Sequence, residues 1–155
     1  MWYKPVIISA CFLGIKSRYD GSASFNAEAI REAAPNLVPV CPEQLGGLPT
    51  PRTPAVIKGG SGIDVLEGSA SIITLSGKDV TSSFIKGAES VLEIARLTGA
   101  KKAVLKENSP SCGVNHICRE YPGCDKGNKK IKKIRKGPGL LAALLLIEGI
   151  QVLGF

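Results

Sequence analysis

Three of the five cysteines, Cys11, Cys41 and Cys112, each stand at or shortly beyond the end of a short apolar run, and thiolates are the side chains best suited to soft metals and nucleophilic work. Three thiolates gathered at one point could hold an iron-sulfur cluster with one iron left open, hold zinc with an open position, or supply a nucleophile with a resolving partner. A single free cysteine more often packs as a small buried hydrophobe. Three at equivalent positions ask for more than packing. None stands in a Cys-x-x-Cys pair, so a compact zinc knuckle or a thioredoxin-like redox pair has little support.

The elements that carry these thiols follow from the apolar patterning. "PVIISA" at 5 to 10 is β-branched and almost wholly apolar, as in a strand covered on both faces of a parallel sheet, and it leads to Cys11. "FNAEAIREAA" at 25 to 34 has helical spacing with Ser24 as N-cap, and a second strand, "NLVPVC", ends at Cys41. The Pro- and Gly-rich stretch from Pro42 to Val65 is longer than a compact domain spends on a plain connection, which predicts an active-site loop. A long amphipathic helix is predicted over 79 to 99, capped by Asp79 or Thr81 and ended by Gly99. It feeds a third strand, "KKAVLKE" at 101 to 107, which leads to Cys112. A basic loop, a Leu-rich helix at 140 to 150 and a last strand at "IQVLGF" close the chain.

Strands alternating with helices predict an α/β fold: a single domain over residues 1–155 with a mainly parallel, Rossmann-like sheet and helices on both faces. Such sheets bind ligands at the carboxyl ends of their strands, where all three cysteines fall. With 155 residues and 44% hydrophobic content the chain can bury a core of ordinary size. The net charge of +7 favours anionic partners, phosphorylated ligands or nucleic acid. The runs "VIISACFLGI" and "LLAALLLIEGI" are too short to span a bilayer, and the first lacks a small-residue cleavage site, so a cytoplasmic protein with reduced thiols is expected.

Four stretches together, "ISACFLGIKSRYDG" at 8 to 21, "LVPVCPEQLGGLPTPRTPAVI" at 37 to 57, "GKDVTSSFIKGAE" at 77 to 89 and "AVLKENSPSCG" at 103 to 113, cover most of the chain. In them the sequence resembles the family that includes the 2-thiouracil desulfidases. The resemblance implies a 4Fe-4S cluster held by Cys11, Cys41 and Cys112 with its fourth iron free. It implies removal of sulfur from a thiolated pyrimidine base or nucleotide, water replacing sulfur on the ring carbon and sulfide leaving without net redox change.

Such chemistry needs a protein acid and base, because water loses a proton as it attacks and the ring nitrogen gains one. Glu43, two residues after Cys41, is the candidate base. Ser109 and Ser111 flank Pro110 beside Cys112 and could orient substrate or relay a proton, although serines there also cap turns. Asp20 is a further candidate for orienting substrate, with an Asx turn before Gly21 as the equal alternative. Arg18 and Arg52 are candidates to meet an anionic group of the substrate.

Beyond Gly113 the chain departs from the family's small-residue segment with "VNHICREYPGCDKGNKKIKKIRKGPG", which puts the particular substrate in question. Cys118, Cys124 and His116 there could form a second metal site, a disulfide or neither, and neither is the expectation. Lys129, Lys130, Lys132, Lys133, Arg135 and Lys136 would suit phosphate on a thionucleotide or on RNA, although such runs are usually solvated. With 5% aromatic residues and no stacking motif, a dedicated RNA-binding module has weak support. The rival to the enzyme is a nucleotide- or RNA-binding module with structural cysteines and no cluster.

Overall fold

The computed structural model describes residues 3–119 and 134–155. In chain order the elements are β1 (Val6–Ser9), α1 (Ala27–Ala33), β2 (Leu37–Val40), α2 (Pro42–Leu45), β3 (Ala55–Lys58), α3 (Gly62–Leu66) and β4 (Ser71–Thr74). There follow α4 (Thr81–Thr98), β5 (Lys102–Leu105), β6 (His116–Cys118), β7 (Ile134–Lys136), α5 (Leu140–Ile147) and β8 (Gln151–Gly154). β1 is buried at every position because both faces of the sheet are covered. Ile7 packs with Phe84 and Val91 of α4 and Leu140 and Leu145 of α5, while Val6 and Ile8 turn the other way onto Ala29 and Ala33 of α1.

The main sheet runs β2-β1-β5-β8, all parallel, with Val6 opposite both Leu37 and Lys102, and Lys102 opposite Gln151. Strands laid side by side in this sense need long crossovers, which α1, α4 and α5 supply. The expected α/β architecture with helices on both faces is therefore observed. The chain leaves β1 toward β2 on one side and returns to β5 on the other, so the carboxyl ends of β1 and β5 diverge. That is the topological switch point where open α/β sheets form a crevice.

Three details differ from the sequence reading. The stretch from 42 to 65 is not one loop: it holds α2, β3 and α3, because the apolar triplet Ala55–Val56–Ile57 pairs antiparallel with β4. The N-cap of α1 is Asn26, whose Oδ1 accepts the Ala29 amide at 3.0 Å, and Ser24 is buried instead. β6 and β7 form a separate antiparallel ribbon. α4 ends as predicted at Gly99, which takes the left-handed φ of 74°. α5 is buried at Leu140, Leu141 and Leu145, and among the described residues no helix is long and apolar enough to cross a membrane.

Candidate functional site

Each free thiol leaves the sheet on its own backbone device. Cys11 lies in a short 3-10 turn, Ala10–Leu13, that closes β1 at Gly14. Cys41 is the extended N-cap of α2, directly after β2. α2 is pressed backbone to backbone against α4: a Cβ on Gly87 would lie 1.8 Å from the Pro42 carbonyl oxygen, and one on Gly46 would lie 2.0 Å from that of Ser83. Only glycine permits that approach, and the approach sets where Cys41 and Glu43 stand. Cys112 sits in the turn after β5. The first amides of α5 grip this turn, Leu140 N–H donating to the Pro110 carbonyl (2.8 Å) and Leu141 N–H to that of Ser111 (2.9 Å).

The three thiols, free and largely buried, line one cleft of about 720 Å³ that opens to solvent. Burial pushes the Cys112 thiol up to about 12, against the opposing hydrogen bonds of Ser9 and Ser111, the latter 3.7 Å from Sγ. Burial also raises Cys11, with the Lys106 ammonium pulling the other way, and raises Cys41, opposed by the Gln44 amide. Cys41 also raises Cys11, and both of the other thiols raise Cys112. Thiols whose burial favours the neutral form become thiolates more readily when a cation joins them, as in a metal-ligating set. Among the described residues no three His, Cys, Asp or Glu side chains are grouped to hold a single metal ion.

Glu43 lines the cleft and is paired with Arg52, Oε2 to Nη2 at 2.6 Å, the two side chains only 17% and 5% exposed. It is thus not a freely solvated loop carboxylate. Ser109 and Ser111 line the same cleft. Ser109 Oγ accepts the amides of Ser111 (3.2 Å) and Cys112 (3.1 Å) and lies 3.0 Å from Ser111 Oγ, so it caps the cysteine turn while joining a hydroxyl pair that reaches the Cys112 sulfur. Asp20 does not line the cleft. Its Oδ1 accepts the Ser22 amide at 3.0 Å and the Ser22 hydroxyl at 2.5 Å in an Asx turn, and that hydroxyl chiefly holds its carboxyl below the ordinary value. Arg18 does line the cleft, its guanidinium carbon 5.6 Å from the Tyr19 ring centre. Arg52, expected to meet a substrate anion, lines the cleft as well, its guanidinium donating to the Ser17 carbonyl and to Glu43.

Lys106, Glu107 and Ser9 also line the cleft and were not singled out from the sequence. The rule that pointed to the cysteines, position at a strand's carboxyl end, applied equally to Lys106. Glu107 has its carboxylate on the turn after Cys112, Oε1 accepting the Asn115 amide at 3.0 Å, with His116 Nδ1 3.4 Å from Oε2. No sequence signal marks that return contact. Cys118 is disulfide-bonded, contrary to the expectation of idle distal cysteines, while Cys124, Lys129, Lys130, Lys132 and Lys133 lie outside the described residues. Arg135 and Lys136 belong to β7.

An α/β sheet with a thiol-lined cleft at its switch point defines a ligand- or cofactor-binding domain of the doubly wound kind. The chain belongs to the 2-thiouracil desulfurase family, whose family model matches residues 6–154. It is 45% identical over 150 residues to YbbK of Bacillus subtilis (strain 168), described as uncharacterized, with 96% of this chain and 93% of that one covered. Among solved structures, the [4Fe-4S]-dependent thiouracil desulfidase TudS superposes with a TM-score of 0.76 at 36% identity, over 98% of this chain and 91% of that one.

Proposed function

We propose that this protein is an iron-sulfur-dependent desulfidase that converts the C=S group of a thiolated pyrimidine base or its nucleotide to C=O, consuming water and releasing sulfide. The observation that carries this reading is the convergence of Cys11, Cys41 and Cys112, free and from three separate strands, on one cleft. The donor set fits a 4Fe-4S cluster: three free thiols on one cleft are soft ligands that suit iron, and three leave one iron of four without a protein ligand. When bound, the cluster supplies a thiophilic Lewis acid at the floor of the cleft.

The remaining work falls to the chain's own side chains. Glu43, on the cleft wall and only 17% exposed, takes the proton from the attacking water. Ser111 and Ser109, joined at 3.0 Å, hand a proton toward the ring nitrogen, each hydroxyl able to donate and accept. Arg18 and Lys106 on the cleft wall favour a substrate bearing a negative charge, such as a nucleotide phosphate. Adding water across C=S and expelling hydrogen sulfide changes no oxidation state, so no external reductant is needed.

Anaerobic reconstitution tests the proposal. The expected product is brown, holds about four irons per chain and releases sulfide from 2-thiouracil or a thiouridine nucleotide. Protein that stays colourless and iron-free under those conditions would overturn the enzyme reading in favour of a binding module.

A further inference from the structure

Arg52 is the meeting point of two of the segments that wall the cleft. Its Nη1 donates to Thr50 Oγ1 (2.9 Å) and to the Pro49 carbonyl (3.3 Å), and its Nη2 donates to the Ser17 carbonyl (3.0 Å) and to Glu43 Oε2 (2.6 Å). A guanidinium has four hydrogens on its two terminal nitrogens, and all four are taken. The remaining donor, Nε, is buried and makes no hydrogen bond among the described residues, and it presents a single N–H instead of the two-pronged fork that grips a phosphate or carboxylate. The Ser17 carbonyl that Arg52 holds also receives the Cys41 sulfhydryl at 3.6 Å.

From this saturation we infer that Arg52 is a positioning residue: it orients Glu43 toward the reacting centre and clamps the 43–52 segment to the loop carrying Ser17, and it does not bind the substrate's anion. Its kinetic consequence rests on the desulfidase reading and its structural consequence does not. Lysine cannot replace it, since one ammonium with three hydrogens cannot satisfy four acceptors spread over two segments.

The test uses reconstituted holoprotein with 2-thiouracil and with a thiouridine nucleotide. Arg52→Gln and Arg52→Lys are expected to lower kcat by about 10-fold or more while iron content and the dissociation constants of both compounds stay within about two-fold. In the Glu43→Gln background, Arg52→Gln is expected to cause almost no further loss, because the two residues act as a unit. A selective loss of affinity for the nucleotide, or losses that multiply in the double variant, would overturn the inference. The second readout is amide exchange of the iron-loaded proteins across residues 43–52. It is expected to rise in both Arg52 variants and to stay unchanged in Arg18→Gln; unchanged exchange in the Arg52 variants overturns the clamp even if the parent protein releases no sulfide. A parent that retains iron but turns over neither compound sinks the proposed function and leaves the clamp to be judged on exchange.

Discussion

Cys112 is buried with only the hydroxyls of Ser9 and Ser111 to oppose its desolvation, so in the metal-free protein it keeps its proton up to about pH 12 against an ordinary 9.0. Between those values the unfolded chain has lost a proton that the folded chain still holds, so stability contributed by the neutral thiol is complete below 9 and declines as the pH rises toward 12. Metal-free parent protein should therefore lose melting temperature across this range faster than Cys112→Ala, in thermal scans run in parallel. In the proposed iron-loaded state the same thiol would serve as a ligand. Cys11→Ser, Cys41→Ser and Cys112→Ser are each expected to abolish cluster retention, and Cys118→Ser and Cys124→Ser to leave it intact, as read by iron and acid-labile sulfide assays. An essential distal cysteine together with a dispensable one among the three would show the ligand assignment to be wrong. Glu43→Gln separates chemistry from assembly: iron content and visible spectrum should persist while kcat falls by roughly 100-fold or more. The cysteines and Glu43 were legible because their types are rare or charged and they follow apolar runs. The Ser17 carbonyl was not, because every residue has one and only the fold decides which is aimed at a thiol. Arg52 was visible as a charge, but its saturation depends on four acceptors brought together in space.

The short helix α2 owes its place to two missing side chains. Gly46 and Gly87 let its backbone touch that of α4, and Cys41 and Glu43 ride at its first turn. Gly87→Ala forces a methyl group into a space 1.8 Å from the Pro42 oxygen, which rigid backbone cannot yield without displacing α2. The expected cost is about 1–3 kcal/mol, seen as a lower melting temperature, accompanied by weaker iron retention as Cys41 moves out of line. At this scale the strands and long helices of the main sheet were readable from period and composition, with ends misplaced by at most three residues. β3 was hidden in a stretch whose prolines and glycines read as loop, and β4 lies between that stretch and the predicted helix, where no element was read. The close contact of α2 with α4 left only glycines as its trace, and glycine serves too many purposes to announce this one.

Across the whole molecule the cleft depends on the far end of the chain. α5 is buried at Leu140, Leu141 and Leu145, and its first amides hold the turn that carries Cys112. A chain ending at Pro138 is therefore expected to show no cooperative thermal transition and to retain no iron, even though all five cysteines are present. The parallel sheet was foreseeable from the strand-helix alternation, whereas the strand order, and with it the switch point between β1 and β5, needed the structure. That order has a consequence for synthesis. Cys11 and Cys41 lie on neighbouring strands joined through α1 and can meet early, but Cys112 joins them only after β5 has threaded in beside β1 and α5 has closed behind it. On the ribosome the site thus exists as two thiols without a third for most of translation, so the proposed inorganic group would have to be delivered to a finished chain.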